Sequence, residues 1–387
     1  MTRLHYISPS LLPSRSANSV HVVHQCNGLV RAGADISLYA KRTITKVDEL
    51  SEVLQRTYGV DANNWQLVTF HSKSDYADTL RIAIMAAWRV LMAPRNELVL
   101  ARNLYAAWLL ATAHRPILFE THQLEYGVRK LMQWWIMTRP WVRTVVISDR
   151  LVACLEEHHG VRHLNSLVLH DAAPDGIRRL APESRRQVLA ELLKAPIAEI
   201  ASWRAVCGYF GQLYAGRGIE VIEVIAAKRP KCLFLVYGGS PDLVEHRKTT
   251  APSNLRYMGH VIHPVARNIQ ASVDVLFMPY QHSVSIGVKK HDTVRWMSPM
   301  KMFEYMASGV PIISSDLPVL REILKDGVNA LLVVPDRPET WISALDRLIE
   351  DPDLASSLGE KAHSQYRREH TWLRRAQILL AASQGLR

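Results

Sequence analysis

The sequence predicts an α/β protein made of two doubly wound, parallel-sheet domains. Short apolar or β-branched runs alternate with helix-length segments almost throughout. That rhythm breaks once, around 171–203, and then restarts. Glycines follow several of the runs, at the strand edge where open α/β sheets bind ligands. With 387 residues, the chain has room for two domains, each with its own core.

In chain order, the first set of strand-like runs is LHYIS (4–8), DISLYA (35–40), QLVTFHS (66–72), ELVLA (97–101), PILFE (116–120), VRTVVIS (142–148) and SLVLH (166–170). Helical patterns lie between them, at 75–92 and 103–114. LYAAWLLATA (104–113) is about half of the ~20 residues that span a bilayer, so it reads as a buried helix. The second set is RAVCGYF (204–210), CLFLVYG (232–238), a short strand before Met258, VDVLFMP (273–279), VPIIS (310–314) and ALLVVP (330–335). A last helix is predicted at WLRRAQILLAA (372–382). These breaks give domains at 1–178 and 204–365, a linker region at 179–203 and a terminal segment at 366–387.

A formal charge of +11 favours polyanions, an anionic membrane surface or phosphorylated substrates. The chain has no helix-turn-helix cue, zinc spacing or RNP-like strand, so nucleic acid is not an expected partner. The four cysteines are scattered without CxxC spacing, and the opening MTRLHYISPSLLPS lacks the features of a secretory signal. A cytoplasmic protein is expected. The histidines form no HExxH, and Glu156-Glu157-His158-His159 reads as a solvated helix end, so no metal is expected. There is no GxSxG elbow or catalytic-cysteine context.

The densest signal is SPMKMFEYMASGVPIISSDLPVLREIL, residues 298–324. Ser298 reads as an N-cap with Pro299 at the first helical position, Gly309 as the stop, and Pro311 as the bar to restarting. A helix N-terminus favours phosphate, and Lys301 in the first turn, normally the wrong end for a cation, suggests a strong negative charge nearby. Glu304 is on the same face at i+3. A surface ion pair on an ordinary amphipathic helix fits the same residues. A second signal is FGQLYAGRG (210–218), between a predicted strand and the helix IEVIEVIAAK. It nearly copies GxxxxGK[ST], but Arg217 replaces the lysine and Gly218 the metal-binding hydroxyl, so a Mg-dependent ATPase is not indicated.

Ser298-Pro299-Met300-Lys301, Phe303-Glu304-Tyr305-Met306-Ala307, Gly309 and Pro311 resemble the SPLK-x-FEYMA-type donor-site motif of retaining glycosyltransferases of family 4. That resemblance implies a GT-B fold, with two Rossmann-like domains facing across a cleft and the last helix returning to the first domain. It implies a metal-independent, retaining transferase for a nucleotide-diphosphate sugar, UDP- or GDP-linked, acting on a glycan or lipid-linked acceptor of surface polysaccharide or glycoconjugate synthesis. By the same resemblance, Arg217 contacts the donor diphosphate beside Gly211 and Gln212. The amides near Ser298, Pro299, Met300 and Lys301 also face the diphosphate, and Glu304 binds ribose hydroxyls. Gly238 is a donor-site candidate from its place at a strand's carboxyl end, the loop at Gly259 to Val261 matches one that touches the nucleobase through its backbone, and Ser16 and Ala17 in PSRSANSVHVVH (13–24) match the family's first-domain loop. His122 in FETHQLEYG (119–127) matches a histidine that positions the donor sugar, and Arg102 is an acceptor-side candidate. The chain departs from the pattern at Gln212, where relatives often have arginine, and at Trp296, where many have a first glutamate. An epimerase or phosphorylase on the same fold, or a non-catalytic partner subunit, stays open.

From Tyr126 to Ser148 there is no acidic residue, while Arg129, Lys130, Arg139 and Arg143 stand beside Trp134, Trp135 and Trp141. The segment 126–143 suits either an interfacial helix on an anionic membrane surface or a core helix with basic ends.

Overall fold

The computed structural model describes residues 2–44, 46–72, 76–177, 179–285 and 292–383. The chain divides into two compact units. The first is Met1–Ala172 with His370–Arg387, the second Ala173–Glu369. Residue 75 of the predicted helix 75–92 and residues 384–387 of the terminal segment lie outside the described residues.

In the first unit β1 (Thr2–Leu12), β2 (Ala34–Arg42), β3 (Gln66–His71), β4 (Leu98–Ala101), β5 (Ile117–Thr121), β6 (Val142–Val146) and β7 (Ser166–Val168) form one sheet. Its order is β3-β2-β1-β4-β5-β6-β7, with every pairing parallel. In the second unit β8 (Ala205–Phe210), β9 (Cys232–Tyr237), β10 (Leu255–Gly259), β11 (Val275–Met278), β12 (Ile312–Ser315) and β13 (Leu331–Val333) form the other, ordered β10-β9-β8-β11-β12-β13 and again parallel. Each predicted strand run falls on one of these strands. The order reverses beside β1 and beside β8, placing the carboxyl ends of β1, β4, β8 and β11 at the switch points where such sheets bind ligands.

The runs are continuous because both sheet faces are covered. Along β9, Leu233 and Leu235 face a core that includes Phe303 and Ile312, while Phe234 and Val236 face one that includes Ile222 and Trp341. In the first unit, helix Ala17–Arg31 packs against helix Trp372–Ser383. Gly28 sits under that contact: a methyl group in its place would lie 2.4 Å from the carbonyl oxygen of Trp372.

The structure fills in or departs from the sequence reading in four places. The region read as a linker carries helices Pro182–Leu193 and Ile197–Ser202, whose Leu189, Ala190 and Ile200 are buried in the second unit's core. Their apolar positions were too few to signal burial. Ser298 is not the N-cap: the helix is Met300–Ser308, and Pro299 stands before it without a side-chain cap. Proline pushes its predecessor out of the helical region, which leaves Ser298 outside. The 156–159 helix end is packed, since His158 Nε2 bonds the Glu125 carbonyl (2.7 Å) and His159 Nε2 bonds Gln133 Oε1 (3.0 Å). Of the three tryptophans at 134–141, Trp141 donates to the Ala111 carbonyl (3.0 Å) and Trp135 carries the Arg139 guanidinium 4.6 Å from its ring. Trp134 alone of the three is exposed.

Gly28→Leu should cost about 1–3 kcal/mol of stability by overpacking. Thermal unfolding followed by circular dichroism should show a lowered midpoint; an unchanged one would mean that helix Trp372–Ser383 is not seated there.

Candidate active site

The second unit gathers its candidate residues at the carboxyl ends of adjacent strands. Gly259 closes β10, Gly238 follows β9, Gly211 follows β8, and Tyr280 follows β11. Backbone bonds tie these ends together: Gly211 N donates to Tyr237 O (2.9 Å) and Gly238 N to Gly259 O (2.7 Å). Gly218 starts the helix Ile219–Lys228 with φ +77, and a methyl group there would lie 1.8 Å from the Pro279 carbonyl oxygen. Only glycine combines that backbone with that approach.

Lys301 and Arg217 converge on one buried tyrosine. Lys301 Nζ lies 4.8 Å from the Tyr280 ring centre and 4.2 Å from that of Tyr209. Arg217 Nη1 donates to the Tyr280 hydroxyl (3.2 Å), and its guanidinium carbon lies 5.3 Å from the same ring centre. Tyr209 in turn donates to the Gln212 carbonyl (2.8 Å). Gly211 leaves room for the lysine, whose Nζ would lie 2.8 Å from a methyl group placed there. Among the described residues no carboxylate is within ion-pair distance of either cation. Burial, then the charge of Arg217, hold the Lys301 ammonium well below the ordinary lysine range, against a smaller opposing pull from Glu304. Arg217 Nε is buried without a hydrogen-bond partner. Helix Met300–Ser308 begins beside this pair without a side-chain cap, so its N-terminal dipole adds to the positive field.

Glu304 does not bond Lys301, although it sits one turn on. Its carboxylate accepts from Gln270 Nε2 (3.4 Å) and lies 3.8 Å from His263 Nδ1. Burial would push it up, but His263, Arg267 and Gln270 outweigh that and hold it below the usual carboxylate range. An ionised carboxylate here can accept from two vicinal hydroxyls. Val261 packs against the core nearby in sequence, and Trp296, at the place of the missing glutamate, is buried.

The first unit holds a second polar cluster, centred on Glu120 of β5. Its Oε1 accepts from Arg375 Nη2 (2.8 Å) and His21 Nε2 (3.1 Å), with His122 Nε2 at 3.3 Å; its Oε2 accepts from the Tyr6 hydroxyl (2.9 Å). His21 Nδ1 reaches Asp171 Oδ1 (2.7 Å). Burial opposes ionisation of Glu120, but His21, Arg375 and His122 hold its carboxyl well below the usual range. Arg102 Nη2 donates to His122 Nδ1 (2.9 Å), and Arg102 Nη1 is buried without a partner. The Nδ1 atom is therefore the acceptor and the proton sits on Nε2. Burial, then Arg102, push His122 down to about 3, so it is neutral at pH 7. His21, Glu120 and His122 are spaced closely enough to hold a cation, but two guanidiniums already bond this group and oppose one. Ser16 caps helix Ala17–Arg31, its Oγ accepting from Ser19 N (3.3 Å), and Ala17 is the first residue of that helix.

Thus the structure brings Gly211, Gln212, Arg217, Gly238, Gly259, Lys301 and Glu304 to one strand edge, and pairs Arg102 with His122. Sequence reasoning missed Tyr209, Tyr280, Glu120, His21 and Arg375. A charge inside the apolar run PILFE was the available clue to Glu120, since a buried carboxylate demands partners.

Two parallel, Rossmann-like sheets give this chain the GT-B fold of the solved structures that superpose on it. Residues 204–351 match the family model Glycosyl transferases group 1. It is 24% identical over 236 residues to alpha-D-kanosaminyltransferase of Streptomyces kanamyceticus, covering 54% of this chain and 58% of that protein. It is 30% identical over 262 residues to D-inositol 3-phosphate glycosyltransferase of Actinosynnema mirum, covering 62% of this chain and 58% of the relative. The matches therefore span little more than half of either relative. The fold superposes on HepE of Anabaena, solved in complex with UDP, with a TM-score of 0.72, 13% identity and full coverage of both chains.

The lowered His122 makes a signed pH prediction. Between about 3 and the ordinary histidine range, the unfolded chain binds a proton that the folded one refuses, so stability is lost as pH falls. His122→Gln should lack that loss. Its unfolding midpoint relative to wild type should rise from pH 7.5 to pH 5 (thermal scans at both, roughly bracketing the ordinary value). A pH-independent difference would show that His122 is not held neutral.

Proposed function

We propose that this chain is a metal-independent, retaining glycosyltransferase that uses a UDP- or GDP-linked sugar and glycosylates a glycan or lipid-linked acceptor. One observation carries the reading: two cations held against a shared tyrosine, with no carboxylate bonding them among the described residues, at a sheet edge and beside a helix N-terminus. A nucleoside diphosphate supplies the missing charge.

Bond breaking at the anomeric carbon leaves negative charge on the diphosphate. Arg217, Lys301 and the first amides of helix Met300–Ser308 stabilise it electrostatically, and more strongly where water is excluded. Glu304 receives the ribose hydroxyls. Neutral His122 orders sugar hydroxyls through its Nε2 proton and is not a nucleophile. The departing phosphate oxygen takes the acceptor's proton, so neither step calls for a metal or a protein nucleophile. The four cysteines are buried and unbridged, in keeping with a cytoplasmic setting. Both relatives above carry glycosyl- or kanosaminyltransferase names, and HepE was solved with UDP, so UDP is the first ligand to test.

Calorimetry with UDP and GDP, in chelator, should show micromolar binding of one nucleotide that is lost in Lys301→Ala. Turnover should fall at least about tenfold, ~1.4 kcal/mol of barrier, in Arg217→Ala and in Lys301→Ala. Near-normal turnover in both would sink the assignment, and no binding of either nucleotide would favour a partner subunit. Because the lone Lys301 ammonium is held low, the bound diphosphate should raise it, and binding should take up protons. Heats measured in two buffers of different ionisation enthalpy would reveal this; equal heats would mean that Lys301 is already fully charged.

A further inference from the structure

Three neighbouring helices of the first unit leave an apolar face uncovered. Helix Tyr76–Met92 turns Ile84, Trp88 and Met92 outward at intervals of one turn, 53%, 63% and 69% exposed. Helix Val128–Met137 does the same with Leu131 and Trp134, 66% and 40% exposed. Helix Leu104–Thr112 packs against both and exposes Trp108. Each helix also buries an inner apolar set, such as Ile82, Ala86 and Val90 on the first. Helices apolar on both sides, each showing one tryptophan outward, do not match a surface meant only for water.

Within residues 76–148 the exposed charge has one sign. From residue 76 to residue 148 the acidic residues are Asp78, Glu97, Glu120 and Glu125, and none is exposed. Each has a partner within the unit: Ser72 and Arg81, His5, Arg375, and Arg129, respectively. Arg81, Arg89, Arg95 and Arg129 are exposed.

We propose that this face docks onto an anionic lipid bilayer, with the tryptophans at headgroup depth and the arginines on lipid phosphates. Among the described residues no helix is long and apolar enough to cross a membrane, so the unit lies on the surface. Pairing two copies through this face would set arginines against arginines, which argues against a dimer. The proposal uses no residue of the donor site.

The full chain should co-sediment with vesicles of phosphatidylcholine containing phosphatidylglycerol, and not with phosphatidylcholine alone. Trp88→Glu combined with Leu131→Glu should weaken that partition about tenfold or more while leaving UDP titrations unchanged. Lipids brominated near the headgroup should quench the wild-type tryptophans, a readout that does not need the variant to fold. The proposal is overturned if wild type stays in solution with the anionic vesicles, if the double variant partitions as wild type does, or if quenching is absent. It is equally overturned if sedimentation velocity shows a wild-type dimer that the double variant dissolves.

Discussion

Lys301 and Arg217 approach the same tyrosine, and among the described residues no carboxylate bonds either one. Two cations close together with little water would repel each other unless something else held them. What holds them is the Tyr280 hydroxyl, the faces of the Tyr280 and Tyr209 rings, and the bare backbone at Gly211 that leaves the ammonium room. Much of the second unit's local design follows from this. Gly218 lets the loop press against Pro279, and the unsupported start of helix Met300–Ser308 adds a further positive end. Keeping both groups charged costs the folded unit free energy, and burial and Arg217 accordingly hold the Lys301 ammonium low. Such strain at a site is characteristic of binding machinery rather than of scaffold.

The first unit solves the opposite problem. Glu120 is a buried charge, and Arg375, His21, His122 and Tyr6 supply donors to both of its oxygens. The consequence reaches His122. With Arg102 on one nitrogen and Glu120 on the other, the ring is fixed in tautomer and orientation and kept neutral. Among the described residues one unit leaves positive charge without a carboxylate, while the other surrounds a negative charge with donors that also fix one ring.

The parallel sheets were legible because their strands are apolar on both faces, which gives unbroken runs bounded by helix-length segments. The loop at 210–218 and the segment at 298–311 were legible because glycine, proline and a misplaced lysine carry local conformational and electrostatic meaning. Pro299 was read in the wrong role, since the steric effect of proline on its predecessor and its preference for the first helical position point to starts one residue apart. Tyr280 and Tyr209 could not be read: a tyrosine at a strand end looks like core, and its value here lies in what folds against it from 301 and 217. Arg375 was hidden for the same reason, being separated from Glu120 by the entire second unit.

That separation bears on biosynthesis. The ribosome releases the first unit's sheet long before residues 370–383, and the whole second unit is made in between. Until then Glu120 lacks its guanidinium, and the groove at Gly28 lacks the helix that carries Trp372. The unit begun first is thus finished last: a nascent chain passes through a stage in which its second unit is complete while its first still exposes a buried carboxylate and an uncovered helix.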